Sequence, residues 1–232
     1  SYAIDLFDES NSANCSILLT VTNLQTVKTP SFSYTFKQVL FWTLIWAFFA
    51  TFLNYFLGML LAILINKKGI RFKKFFRTMF VSTIAVPQFV SLLIMSKMLD
   101  VDGGIITQLI QSIFGYKIQF GLDITTTRIA IVIVNMWVGI PYSMLMCSGI
   151  LMNIPSDLYE SARIDGASPA RQFMKIPLPY MLFVTGPYLI TQFIGNINNF
   201  NVIYLLSGGG PGDLMLYTEG AKGTDLLITW LY

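Results

Sequence analysis

Four long stretches without a charged side chain constrain this chain more than any other feature. They run from Gln38 to Ile65, Thr78 to Ser96, Ile129 to Ser156 and Ile176 to Gly212. About 20 mostly apolar residues suffice for a helix to cross the hydrocarbon core of a bilayer, and each stretch supplies them, the second with little to spare. A soluble protein with buried helices is the alternative, but one soluble core seldom requires four such stretches in 232 residues. The sequence therefore predicts an all-α integral membrane protein, a polytopic bundle of transmembrane helices.

The composition agrees with this fold class and excludes several kinds of chemistry. Hydrophobic residues make up 54% of the chain and charged residues only 12%, against about 25% charged in soluble domains. Histidine is absent, so the commonest general base and metal ligand is missing. An intramembrane protease would need a nucleophile with a base, or two aspartates, within the spans. We therefore expect no catalytic residues, no metal and no cofactor.

The spans and their orientation follow from hydropathy and from the basic residues between them. The predicted spans cover residues 38–65, 79–99, 129–152 and 180–206, with kinks expected at Pro87, Pro141 and Pro187. Residues 66–78 hold six basic side chains and no acid, so they are predicted to lie in the cytoplasm. Residues 100–127 hold three aspartates and one lysine and are predicted to lie outside. The alternation then places 153–179 inside and 207–223 outside.

The ends of the chain and two short segments carry weaker predictions. Residues 1–36 are expected to be an extracytoplasmic segment, with a strand-like run at Cys15–Val21, and residues 37–232 the transmembrane domain. We expect an internal part of a longer protein, because a further span is needed upstream and the last span is truncated. Residues 105–114 have an apolar helical face that is too short to span a membrane. The glycine-rich run Ser207–Gly212 reads as a turn, because no Lys-Ser or Lys-Thr follows as in a phosphate loop. Cys15 and Cys147 lie in dissimilar surroundings, so no disulfide is predicted.

The loop 153–179 is the best candidate for a contact with an energy source. The apolar cores of the spans contain no ionisable residue, so a proton-coupled mechanism has no residue to use; Lys97 and Arg128 sit at span ends, where they can reach the interface. Within the loop, Asp157 and Glu160 have capping-box spacing and predict a short helix. Gly166 is placed to end that helix in a left-handed conformation. Ser168 and Pro169 predict the start of a second helix, which Pro177 and Pro179 end. Composition alone leaves an ordinary connector equally open.

A sequence motif in this loop resembles that of a known family. Permeases of binding-protein-dependent ABC importers carry E-A-A, three residues, G, nine residues, then I-x-L-P. The same spacing is found here, with serine for the second position, in Glu160, Ser161, Ala162, Gly166, Ile176, Leu178 and Pro179. Further stretches resemble the maltose/maltodextrin-type sugar permease subunit, namely Ala85–Gln88, Asn135–Tyr142, Ile154–Glu160, Asn196–Phe200 and Gly208–Pro211.

The resemblance implies a function and a set of partners. It implies the permease subunit of an ATP-driven carbohydrate importer in the cell membrane, with a maltodextrin-like substrate. The partners implied are a second permease, two ATPase subunits that hydrolyse ATP and dock on the 153–179 loop, and an extracytoplasmic sugar-binding protein. Lipid is the surrounding medium, and no nucleic acid is expected. Alternatives are a permease for another solute, above all another neutral one, and a purely structural membrane protein.

Amides and glycines in the spans predict a substrate site. Gln192, Gly195, Asn196 and Asn199 share one helical face, Asn135, Gly139 and Tyr142 share another, and Gln88 follows the proline of the second span. Such amides can also hold helices together, for about 1 kcal/mol each. The absence of charge, the aromatic ring and the match to sugar-lining positions of the resembling subfamily favour a sugar site. The glycines are expected to leave room for the sugar ring.

Overall fold

Every regular element that this computed structural model describes, within residues 31–66, 73–212, 217 and 220–232, is a helix. In chain order they are α1 Phe32–Phe48, a π-helical segment Phe49–Leu53, α2 Asn54–Asn66, α3 Lys73–Ala85, α4 Gln88–Met98, α5 Ile105–Phe114, α6 Ile124–Met152, α7 Ser156–Ile164, α8 Pro169–Lys175, α9 Pro177–Ile197, α10 Phe200–Ser207 and α11 Leu227–Trp230. The strand-like run Cys15–Val21 and residues 67–72 of the basic loop lie outside the described residues.

Within the described ranges, three helical stretches are long and apolar enough to cross a membrane, or four if a bent pair is counted as one span. The three are Phe32–Asn66, Ile124–Met152 and Pro169–Ile197. Only 39%, 33% and 22% of their most apolar windows are buried within the chain. The remaining apolar surface must face lipid or another subunit, because water would not tolerate so much exposed hydrocarbon.

The second predicted span is broken rather than kinked. Helices α3 and α4 meet at an angle of 90°, so the pair is either a broken span or a re-entrant loop. Pro87 lacks an N–H and disfavours a helical conformation at Val86. The chain restarts at Gln88, and the carbonyl of Pro87 accepts the N–H groups of Val90 (3.0 Å) and Ser91 (3.3 Å).

The fourth predicted span is interrupted as well, but by asparagines. Helix α9 ends at Ile197, and Asn199 caps the next helix by accepting the Val202 N–H at 3.3 Å. Asparagine side chains compete for backbone groups and so favour such breaks. Pro141 and Pro187, by contrast, lie inside continuous helices.

The core is formed mainly where α1 and α2 pack against α6 and α9. A Cβ on Gly58 would lie 2.5 Å from the Cβ of Ser143, so α2 approaches α6 closely because of that glycine. Near the middle of the bundle, Trp46 is fully buried and its indole N–H donates to the Asn196 carbonyl at 3.1 Å. This bond ties the last turn of α1 to the end of α9.

The segment after α10 is anchored against α1 and α6. Trp42 donates from its indole to the Thr224 carbonyl at 3.1 Å. The Arg128 guanidinium lies 4.2 Å from the Trp42 ring centroid and donates to the Gly223 carbonyl at 2.9 Å. Helix α6 begins four residues before Arg128, so this arginine is a structural tie rather than a free interfacial side chain. Gly208 and Gly209 have positive φ, 59° and 80°, in the predicted turn.

Candidate functional site

A cavity of about 340 Å³ lies where the π-helical segment, α4, α6 and α9 come together. Seven of the eight predicted substrate residues line it, namely Gln88, Asn135, Gly139, Tyr142, Gln192, Asn196 and Asn199. Gly195 does not. Two of these elements begin or end at the helix breaks, and broken helices at membrane depth are tolerated where they line a cavity. The tertiary structure therefore brings together residues from three predicted spans.

Three of the lining amides are free to bind a ligand. Gln88 and Gln192 are exposed, and Asn135 is buried. Within the described ranges, none of the three side chains forms a hydrogen bond. Polar side chains in an apolar environment are costly unless they are hydrogen-bonded, so these groups suit a hydroxyl-rich ligand.

Two other lining amides are engaged in internal hydrogen bonds. Asn196 donates from Nδ2 to the Thr51 hydroxyl at 3.0 Å, and Asn199 donates to the Asn196 Oδ1 at 3.3 Å. These bonds connect the end of α9 to the π-helical segment. Asn196 and Asn199 thus form hydrogen bonds within the bundle, whereas the other three lining amides have none. Both interpretations of the amides, helix contacts and ligand binding, can therefore apply, each to different residues.

The cavity also has an aromatic wall and no charged lining. Tyr142 and Tyr188 stack with ring centroids 6.1 Å apart and an interplanar angle of 30°. Tyr142 keeps 53% of its surface exposed, so its ring can receive the apolar face of a sugar. All the lining residues are neutral, and the described residues contain no group of acidic, histidine or cysteine side chains that could hold a metal ion.

Gly139 and Gly195 differ in what surrounds them. The space beside Gly139 is filled by the amide of Asn54, which a Cβ would strike. A Cβ on Gly195 would meet nothing within 4 Å, and Gly195 is not among the residues that line the cavity. That these glycines leave room for a sugar ring stays a prediction.

Sequence reasoning missed six of the residues that line the cavity, three of them on the first predicted span. Ala50, Thr51 and Asn54 come from the π-helical segment and the residue after it, while Val138, Ser143 and Tyr188 come from α6 and α9. The spacing of Thr51, Asn54 and Gly58 on one helical face was a signal that could have found two of them. Tyr188 had none, because a lone tyrosine in an apolar run is usually a packing residue.

The 153–179 loop folds as two short helices joined at Gly166. That glycine has φ of +71°, the predicted left-handed conformation. The Gly166 N–H bonds the Arg163 carbonyl at 3.0 Å, and the Ala167 N–H bonds the Ala162 carbonyl at 2.9 Å. This pair of bonds is a Schellman motif. Ser168 caps α8 as expected by accepting the Arg171 N–H at 3.4 Å, with Pro169 next.

The predicted capping box at the start of α7 is wrong. The helix begins at Ser156, and no side chain caps it. Asp157 lies inside the first turn, where its negative charge interacts favourably with the helix dipole. Its carboxylate accepts a hydrogen bond from the Ser156 hydroxyl at 3.3 Å. The N-cap position is occupied by Pro155, two residues before the Asp157 that the sequence placed there.

Helix α7 has no buried residue. Glu160 and Ser161 are exposed, with Leu158 half exposed and Ile164 87% exposed. Partial burial nevertheless raises the pKa of Tyr159. The motif residues Leu178 and Pro179 lie in the first turn of α9, and Ile176 immediately precedes that helix. The knob formed by α7 and α8 therefore exposes both charged and apolar side chains.

Comparison with known proteins gives consistent relatives. The chain is 42% identical to the galactooligosaccharides transport system permease protein of Bacillus subtilis (strain 168) over 85% of its length, covering 47% of that protein. It is 40% identical to a maltodextrin transport system permease protein of Streptococcus pneumoniae serotype 4 over 93% of its length, covering 50% of that protein. The maltose/maltodextrin transport system permease protein of Escherichia coli (strain K12) is 39% identical over 85% of the chain, with 38% of that protein covered.

The chain thus spans about half the length, or less, of these curated relatives. Among solved structures, a bacterial ABC transporter involved in the import of the acidic polysaccharide alginate superposes with a TM-score of 0.63 at 19% identity, over 85% of this chain and 67% of that one. A complex of such an alginate transporter with its pentasaccharide-bound periplasmic protein gives a TM-score of 0.66, also at 19% identity. The helical fold is therefore that of ABC importer permeases.

A family match covers most of the chain, from residue 54 to residue 230. It includes the cavity elements from Asn54 onward and the whole 153–179 loop. This chain belongs to the family of binding-protein-dependent transport system inner membrane components.

Proposed function

We propose that this chain forms half of the translocation pathway of an ATP-driven importer of neutral oligosaccharides. The observation that supports it most is the 340 Å³ cavity, whose lining combines free amides, a tyrosine pair and no charge. Pockets for small molecules begin at about 300 Å³, so the cavity has room for part of a sugar chain. The relatives named for galactooligosaccharides and maltodextrin agree with this substrate class.

The cavity chemistry argues against an acidic substrate. Anions bind to arginine, lysine or groups of backbone N–H donors, and none of the lining side chains is cationic. The alginate importer therefore shares the fold with this chain, but its substrate class is a poor guide here.

The loop 153–179 is proposed to dock on a cytoplasmic ATPase subunit. Its two helices are short, locally ordered and exposed, and the Schellman motif at Gly166 fixes the angle between them. A rigid knob of this kind can transmit the closure of a partner to α9, which begins where α8 ends. Glu160, Ser161 and Ala162 on α7, together with Ile176, Leu178 and Pro179, are the proposed docking residues.

The remaining partners complete the assembly. A second permease would supply the other half of the pathway and cover part of the apolar surface that the three long helices leave exposed. An extracytoplasmic sugar-binding protein would deliver the substrate on the side of 100–127 and 207–223. Two ATPase subunits would bind and hydrolyse ATP on the cytoplasmic side.

Reconstitution tests the proposal. The full-length protein, with its partner permease, ATPase and binding protein, is placed in proteoliposomes, and uptake of labelled maltotriose, a galactooligosaccharide, phosphate and an amino acid is compared. We expect ATP-dependent uptake of a neutral oligosaccharide only. Uptake confined to a charged solute, or to a neutral solute other than a sugar, would contradict the proposal.

A further inference from the structure

Asn54 lies on the cavity wall in an unusual state for a buried amide. It directly follows the π-helical segment and is only 8% exposed. Its Oδ1 is shut off from solvent and accepts no hydrogen bond, and among the described residues it is the one inaccessible side-chain polar atom without a partner. The amide of Asn135 is also unbonded, but its polar atoms keep some accessible surface in the cavity. An acceptor like the Asn54 Oδ1 is destabilising, because it has lost its hydrogen bonds to water and gained none in the protein.

Other asparagines of the bundle show what a purely structural amide does. Asn66, three turns further along the same helix, donates to the Ala62 carbonyl at 2.7 Å and to the Ser148 hydroxyl at 2.8 Å. Asn196 donates to Thr51. Asn54 differs from both, because its amide borders the cavity and joins no helix to another by a hydrogen bond.

The surrounding backbone holds the Asn54 amide in place. The amide lies against Gly139, where any Cβ would collide with it. The preceding π-helical turns are of a kind that occurs frequently at functional sites. A rotation about the Cβ–Cγ bond exchanges the amide oxygen and nitrogen, so the side chain can present either an acceptor or a donor to the cavity.

We propose that Asn54 binds a hydroxyl group of the transported sugar and thereby selects the hydroxyl pattern that the cavity accepts. This inference rests on the proposed function. A hydroxyl both donates and accepts, which matches an amide that can turn either group toward it. A site built to bond a hydroxyl discriminates strongly against an analogue that lacks it, because its polar group is then left unpaired.

A thermodynamic cycle with deoxy sugars tests the proposal in the reconstituted complex. Uptake kcat/KM is measured for maltotriose, or for whichever oligosaccharide the wild type transports, and for its monodeoxy analogues. Asn54→Leu has nearly the shape of asparagine without its polar atoms. One analogue should lose about tenfold in the wild type and nothing further in Asn54→Leu, since residues in contact are non-additive. The binding protein is common to both arms, so its own selectivity cancels.

Three further variants serve as comparisons. Gly139→Ala should displace the amide and weaken the same discrimination, whereas Gly195→Ala, with open space around it, should not. Asn66→Ala should leave every ratio between a deoxy analogue and its parent sugar unchanged. If Asn54→Leu cannot be assembled, Asn54→Ser replaces it.

If the loss of kcat/KM caused by Asn54→Leu and the loss caused by the missing hydroxyl simply multiply for every analogue, Asn54 does not bind a hydroxyl. The proposed sugar transport would not be affected by that result. Failure of both Asn54 variants to assemble would also overturn the role of Asn54, because the residue would then be a packing element. A wild type that transports no sugar would instead refute the proposed function.

Discussion

The cavity and the 153–179 loop carry the two proposed roles in opposite ways. The loop is ordered by its own neighbours in sequence, through the Ser168 cap and the Schellman bonds at Gly166, and no residue of α7 is fully buried. The cavity, by contrast, is not formed by any local sequence motif. It exists because four elements that are distant in the sequence meet. Local motifs are therefore readable in the sequence, whereas a site made by packing is only partly so.

The largest effect is expected at Gly166. Valine there must adopt φ near +71°, which costs an L-residue about 1–2 kcal/mol, and the angle between α7 and α8 should change. We expect Gly166→Val to abolish ATP-driven uptake or release the ATPase subunits, measured by transport and by co-purification.

Gly115 provides a matched control for that variant. It has φ of 69° at the end of α5, also with nothing within 4 Å of an added Cβ. Gly115→Val should carry the same backbone strain and leave ATPase association unchanged. Equal loss of association in both variants would show that strain alone, and not docking geometry, is responsible.

A smaller effect should separate free amides from bonded ones within the cavity. Gln192→Ala should raise the KM for uptake, by about tenfold if one good hydrogen bond of roughly 1.4 kcal/mol is lost, without lowering the melting temperature of the purified complex. Asn196→Ala should lower the melting temperature as well, because it removes the bonds to Thr51 and Asn199. If Asn196→Ala changes only KM, its internal bonds contribute nothing and it is a binding residue like Gln192.

The smallest effect concerns the two helix starts in the loop. Ser168→Ala removes a side-chain cap and should destabilise α8 by about 0.5–2 kcal/mol. Asp157→Ala should change stability by less, because that side chain caps no backbone N–H. Hydrogen exchange of the α7 and α8 amides would measure both. If the α7 amides of Asp157→Ala exchange faster than the α8 amides of Ser168→Ala, Asp157 does cap α7, contrary to the structure.

The amino-acid sequence by itself determined much of the fold. Charge-free stretches predicted membrane helices, and three long apolar helices are present. The motif from Glu160 to Pro179 predicted the family, which the match to residues 54–230 confirms. Gly166 in the left-handed conformation and Ser168 as a cap were predicted correctly because both depend on a few adjacent residues.

Only the tertiary structure decided how the helices break and which amides remain free. Pro87 turns the chain by 90°, whereas Pro141 and Pro187 sit in continuous helices; the same residue type gives both outcomes because neighbouring helices decide whether the freed backbone groups are satisfied. Asn54 and Asn196 are equally polar in sequence, yet one oxygen is unpaired and the other amide bonds Thr51. The hydrogen-bond partners of an amide come from elements far apart in the chain. The sequence therefore could not show which amides are bonded within the bundle and which are free.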